Sequence, residues 1–329
     1  MRALSVDQQA PSSPKIELKV VLGGIYLCLG VLCWSGSTVV YKFLSESFPP
    51  YLVLAMRYIL ATLILGSFWI YSKGYKDQLN RKTVLILVIL GLFGIAFHNL
   101  SIFLGVKYTS ANMGAIIMAT APIIAQFLAV PVLKRRVSKE GIGWSVLSLL
   151  GIVIVIGIGG TEPNWIGLLW LFGSAFSLAF FNVYAAKLMQ EQSVTPKTLT
   201  CTTISIATFP FVPLLLIDFG SITLLDTVTV FIVFWLSVLY LVLIGNIIGR
   251  SLYNIGVQKA GSSVATIIMN LGPIFTTILA FFFLGEIPTI GLIIGGSLVI
   301  VGVIGIIRTE NREQRDQNTD LTVVERKKI

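Results

Sequence analysis

The chain has 329 residues, 55% of them hydrophobic and only 12% charged, with a formal net charge of +9. A soluble domain carries about 25% charged residues, and no soluble core could bury so much apolar chain, so the composition excludes a soluble globular protein and calls for an integral membrane protein. The basic excess does not point to nucleic acid, because Lys and Arg sit in the short connections between apolar segments, where membrane topology accounts for them.

In chain order, the first eighteen residues are polar, and the apolar segment after them is too long for a cleaved signal peptide. A spanning helix needs roughly 20 apolar residues, which predicts ten spans at about 20–44, 50–71, 83–106, 109–133, 141–159, 164–187, 197–217, 228–257, 261–284 and 288–307. The connections carry turn formers: Pro49-Pro50, Gly74, Gly159-Gly160 with Pro163, Pro196 and Pro288. The tail from Arg308 is polar and of mixed charge and is read as disordered. Cys28, Cys33 and Cys201 lie inside apolar segments and form neither a disulfide framework nor a metal-ligand spacing, so no metal site and no cofactor are expected.

The fourth segment has an echo in the ninth. Shifted by 151 residues, 94–151 matches 245–302 without a gap at fourteen of 58 positions. The matches include Gly94/Gly245, Gly105/Gly256, Pro122/Pro273 and Gly151/Gly302, and paired glycines and a paired mid-segment proline are hard to obtain from apolar composition alone. The chain therefore divides into a polar cytoplasmic N-terminus (1–18), a first five-helix repeat (19–159), a second (160–308) and a polar cytoplasmic tail (309–329).

Positive charge sets the orientation. Lys73, Lys76, Arg81, Lys82, Lys134, Arg135, Arg136, Lys139, Lys197, Lys259, Arg308 and Lys327 fall on one side. Glu46, Glu162, Asp218, Asp226 and Glu286 fall on the other, with Lys107 the one exception. Both termini are then cytoplasmic. Five segments per repeat is an odd number, so the second repeat is inverted. The turn KRRVSK after segment four and its counterpart GEIPTI after segment nine carry opposite charge, as inversion requires. The expected fold is an all-α polytopic membrane protein with ten transmembrane helices in two inverted five-helix repeats.

Inverted repeats place a binding site near the midplane, where helices interrupted at corresponding positions meet. Ala121-Pro122 and Gly272-Pro273 are such positions, which makes Pro122, Gly272 and Pro273 candidate hinges. Ser263, Thr266, Asn270, Pro273 and Thr277 share one helix face, and Asn112, Ala115, Ala119, Pro122 and Gln126 match them. Small and hydroxylated residues there read as helix contacts. Asn270 and Gln126 are expected in a cavity wall, because an amide facing lipid is costly.

Ionisable residues inside the spans are few, and such residues mark functional sites by default. Asn246, Arg250 and Asn254 form a stripe at four-residue spacing. Arg250 aligns with Asn99, beside His98, the only histidine. Arg57 lies in segment two and fits either a cavity or a snorkelling role, whereas Lys42 and Lys187 at segment ends read as snorkelling. The candidate substrate-binding set is Arg250, Asn246, Asn254, Asn270, His98, Asn99, Arg57 and Gln126. No Asp or Glu occupies the middle of a segment, so the set suits an anionic or zwitterionic solute better than a cation.

These residues carry a resemblance to the drug/metabolite transporter superfamily in its EamA-type ten-helix branch. CWSGSTVVYK at 33–42 resembles the family's first-helix pattern, AMRYILATLIL at 55–65 its second helix, and 104–130 and 254–286 its duplicated motif of helices three and four. Gly285-Glu286 keeps that motif's ending. The first repeat departs from it with Lys134-Arg135, and Ser37 stands where the first-helix pattern has Asn.

The resemblance implies alternating-access export or exchange of a small metabolite such as an amino acid. The location it implies is a bacterial cell membrane. The expected partners are a small-molecule substrate, the lipid bilayer and, as an open option, a second copy in a homodimer, with no nucleic acid. The chain is not expected to be an enzyme: it has no H-E-x-x-H and no buried aspartate pair, and His98 with Ser101 lacks an orienting third group. The alternative is a non-transporting receptor or scaffold, which would need no matched helix breaks.

Overall fold

A computed structural model describes residues 14–71, 80–133, 137–157, 164–191, 194–218, 220, 227–260 and 262–326. Lys73, Gly74, Lys76, Lys134, Arg135, Arg136, Gly159, Gly160, Glu162, Pro163, Asp226 and Lys327 lie outside them, as do the side chains of Ser263 and Thr266.

Regular structure in the described residues is helical. The elements are α1 (Pro14–Ser47), α2 (Pro50–Tyr71), α3 (Arg81–Ile89), a first π segment (Leu90–Phe97), α4 (His98–Tyr108), α5 (Ala111–Met118), α6 (Ala121–Leu133), α7 (Lys139–Gly157), α8 (Trp165–Gln190), α9 (Pro196–Leu214), α10 (Val228–Leu239), a second π segment (Tyr240–Ile248), α11 (Gly249–Ala260), α12 (Ser262–Met269), α13 (Gly272–Leu284) and α14 (Ile290–Arg326). Among the described residues eight helical runs are long and apolar enough to cross a membrane, and Gly272–Leu284 is a shorter apolar helix. Leu169, Phe209 and Phe282 are 76%, 78% and 75% exposed, tolerable for side chains that face lipid rather than water.

Local chemistry sets the helix starts. Asn80, Ser110, Asn164, Thr195 and Thr227 each accept a bond from the backbone N–H three residues on, which satisfies one of the donors a helix start leaves open. α13 ends at Gly285, whose φ of 69° is left-handed. Glu286 N then donates back to Ala280 O at 3.2 Å, the C-terminal motif that glycine permits.

The structure places the expected interruptions and departs from the sequence reading in two further ways. Segments four and nine are each broken in two. Pro122 and Pro273 have no N–H to give to the carbonyls of Met118 and Met269, and it is at those residues that α5 and α12 end. The bounds of α5 and α6 lie 151 residues before those of α12 and α13. Segments three and eight each contain a π segment, ending at Phe97 and Ile248, again 151 residues apart. The tail from Arg308, expected to be disordered, continues α14 as far as Arg326; Glu, Arg and Gln are good helix formers, and no Gly or Pro interrupts them.

α7 and α14 pack closely through glycines. A Cβ on Gly151 would lie 2.5 Å from Gly295 O. Between them Ser148 Oγ donates to Val299 O at 3.3 Å, across a separation of 151 residues. α2 and α9 meet in a similar way: the Thr62 and Thr208 hydroxyls are 2.7 Å apart and 146 residues distant in sequence, the spacing between Pro50 and Pro196 at the two helix starts.

Candidate functional site

The helices converge on a polar cluster built around Arg57, the one charged side chain among the buried residues described. Arg57 Nη1 donates to Asn99 Oδ1 at 2.9 Å, and Nη2 donates to Asn246 Oδ1 at 3.0 Å. The Tyr41 hydroxyl donates to the same Asn99 oxygen at 2.9 Å. Asn99 Nδ2 in turn donates to Ile95 O at 2.9 Å, in the π segment just upstream. The guanidinium carbon lies 5.1 Å from the Tyr41 ring centre and 5.5 Å from that of Tyr58, close enough for cation–π attraction. A planar fork held by two carboxamide oxygens and two aromatic faces is a fixed arrangement. Arg57 Nε alone has no partner among the described residues.

Arg250 is different. It sits one turn beyond Asn246 on α11, half-buried, within electrostatic reach of Tyr58. Among the described residues it makes no hydrogen bond and no ion pair. Tyr58 stands in reach of both arginines. The cluster thus holds one guanidinium already engaged and a second whose donors have no partner among the described residues.

The other candidates divide. His98 faces α8: Nδ1 lies 2.9 Å from Ser174 Oγ and 3.2 Å from Ser174 O, and Ser174 Oγ donates to His98 O at 3.1 Å. These contacts close consistently when Nδ1 carries the proton and Nε2 is left as an acceptor. Asn270 is buried at the break between α12 and α13, where Ser35 Oγ donates to Gly272 O at 3.0 Å. Thr120 supports the first break, its hydroxyl donating to Ile117 O at 2.7 Å. Gln126 lies apart, buried against Gly141 at the start of α7. Asn254 is exposed on α11. The structure therefore brings together Arg57, Asn99, Asn246 and Arg250, and it puts Gln126 outside that group.

Sequence reasoning missed the two tyrosines and Ser174. Tyr41 directly precedes Lys42 in the first-helix pattern, which was the available signal. It also missed what Glu286 does. Glu286 Oε1 accepts from Ala111 N at 2.8 Å and Oε2 from Asn112 N at 3.1 Å, so the carboxylate after α13 caps the start of α5, far away in sequence. Lys42 Nζ donates to Thr109 O at 3.2 Å in the same turn, where snorkelling had been expected. Asp218 caps α2 likewise, through Tyr51 N at 2.9 Å and Leu52 N at 3.3 Å. Carboxylates suit helix N-termini because free N–H groups and the helix dipole both favour negative charge there. Gly285 turns the chain and Glu286 reaches across, which gives the motif ending a physical reason.

The model of the EamA-like transporter family matches residues 21–157 and again 165–308. The chain belongs to that family. Its fold and apolar helices are those of a membrane transporter in the drug/metabolite transporter superfamily, as the resemblance implied. An uncharacterized transporter of Bacillus subtilis, YyaM, is 26% identical over 301 residues, covering 89% of this chain and 97% of the relative. A probable terminal-alkyne amino-acid exporter of Streptantibioticus cattleyicolor is 23% identical, covering 71% and 76%. An S-adenosylmethionine/S-adenosylhomocysteine transporter of Chlamydia trachomatis is 25% identical over 134 residues, 41% of each chain. A solved crystal structure shares the fold with a TM-score of 0.56 at 15% identity, covering 88% of this chain and 97% of that one.

Proposed function

We propose that this family member exports a small anionic or zwitterionic metabolite of amino-acid type by alternating access, with Arg250 as the cation that meets the substrate. The observation that carries the reading is the unequal state of the two arginines: Arg57 is engaged by Asn99 and Asn246, and Arg250 is not. A guanidinium with open donors in a cluster without a buried carboxylate suits a carboxylate on the solute. Two relatives are named for solutes of amino-acid type, a terminal-alkyne amino acid and S-adenosylmethionine/S-adenosylhomocysteine, each of which carries the carboxylate that a guanidinium can hold. Asn246 beside Arg250 and Asn270 at the helix break would complete the contacts.

The test is flux in vesicles holding only this protein. Anionic and zwitterionic amino acids should exchange across the membrane, and cationic amines should not. Pro122→Ala and Pro273→Ala should slow that exchange by restoring a backbone bond at the breaks that must bend. Exchange of amines alone would overturn the substrate class, and unaltered rates in both proline variants would remove the hinge role.

The architecture that goes with this reading is ten spans in two inverted repeats, with both termini in the cytoplasm. The 151-residue match of the helix breaks and of the π segments supports it. Single cysteines at Gln78 and Thr161, in a chain without Cys28, Cys33 and Cys201, should react with an impermeant thiol reagent from opposite sides. Reaction from one side would contradict the inversion.

A further inference from the structure

A groove of about 480 Å³ lies where the α7/α14 pair reaches the end of the α14 span, well away from the Arg57 cluster in sequence and packing. Trp144 from α7 forms one wall, Val301 and Ile304 from α14 form the floor, and Glu140, Arg308 and Arg312 form the mouth. The groove depends on Gly305, where an added Cβ would run into the Trp144 ring. At the mouth Arg312 Nη2 donates to both Glu140 oxygens at 2.9 and 2.8 Å. Those two charges neutralise one another. Arg308, exposed and one turn earlier, has no ion pair or hydrogen bond among the described residues.

Depth and chemistry agree on an occupant. The candidate span of α14 ends at Thr309, so Arg308 stands at the boundary where lipid headgroups begin. Tryptophan is enriched at that level because its ring is apolar and its N–H polar. Val301, half exposed, offers acyl chains an apolar surface just below.

We propose that this groove holds an anionic phospholipid, its phosphate on the Arg308 guanidinium and one acyl chain along Val301 and Ile304. A guanidinium pairs well with phosphate through parallel N–H donors. Among the described lining residues the charge left over at the mouth is that of Arg308, so a lipid with an extra negative charge is favoured over a zwitterionic one.

The experiment uses the full chain in detergent, titrated with phosphatidylglycerol or phosphatidylcholine and followed by native mass spectrometry and thermal unfolding. One phosphatidylglycerol should be retained per chain, with an apparent affinity about tenfold above phosphatidylcholine, the ratio one charge-assisted contact supplies. Arg308→Gln should lose that preference. Because Arg308 is exposed, its folding can be checked by the unfolding temperature without lipid. Replacing both members of the ion pair together, Arg312→Gln with Glu140→Gln, should keep the preference, since the pair carries no net charge. Equal affinity for the two lipids, an unaltered preference in Arg308→Gln, replacement of the lipid by inorganic phosphate, or a second copy of the chain over the groove would each overturn the assignment.

Discussion

Arg250→Gln should reduce substrate exchange at least about tenfold at equal surface expression, because a hydrogen bond to a charged group contributes about 1.5–3 kcal/mol. Arg250→Lys keeps the charge and loses the planar fork, so it should fall between the two. The comparison with Arg57 separates roles. Arg57 bridges α2, α4 and the second π segment through Asn99 and Asn246, so Arg57→Met takes the Arg57 donor from the half-buried Asn246 oxygen and leaves the buried Asn99 oxygen to the Tyr41 hydroxyl. Its main effect should be a lower unfolding temperature, since a hydrogen bond from a charged group contributes about 1.5–3 kcal/mol. Exchange at the parent rate by Arg250→Gln would show that its guanidinium only snorkels to the headgroups.

Glu286→Ala is expected to open the end of the bundle where α5 begins. The substitution removes the acceptor of two backbone N–H groups and a negative charge at a helix N-terminus, together about 1–2 kcal/mol. A change of about 1 kcal/mol moves a two-state opening about fivefold. The readout is the rate at which an impermeant thiol reagent labels a cysteine at Asn112, which is buried in the parent. Labelling should quicken several-fold, with Glu286→Gln between, since the amide keeps one acceptor oxygen. An unchanged rate would leave Glu286 a static cap. The equivalent sequence positions in the first repeat are Lys134-Arg135, which have no side-chain acceptor to offer α12. In packing too, α5 rests on α13, whereas α12 and α6 make little contact among the described residues.

Much of this was legible in the residues, for identifiable reasons. Gly and Pro act through the backbone at their own positions, so their fixed offset revealed the duplicated pattern without tertiary information. Arg250, Asn246 and Asn99 were found because polar side chains are conspicuous in apolar helices. The state of Arg57 was not legible, because it depends on oxygens from two other helices. The π segments were hidden as well: LGLFGIAF and YLVLIGNII read as ordinary apolar helix, and only the closure of the bundle decides where a turn widens. Glu286 was visible as part of a motif, but its partner, 175 residues away, could not be inferred from local pattern. Gln126 was placed with the site on helix-face arithmetic alone, and α6, packed against α8, instead sets it beside Gly141.

The bond from Ser148 to Val299 joins a residue to its own counterpart, and the Thr62–Thr208 contact does the same on the α2–α9 side. If the two repeats exchange conformations during transport, as proposed above, every other contact must have a mirror that replaces it on the opposite face. A contact between counterparts has no such mirror, because the exchange carries it onto itself. On that proposal those two places stay fixed while the rest of the bundle moves. They can be as tight as glycine packing allows without slowing the cycle, and the freedom to move falls to α5, α6, α12 and α13, whose breaks lie off the axis.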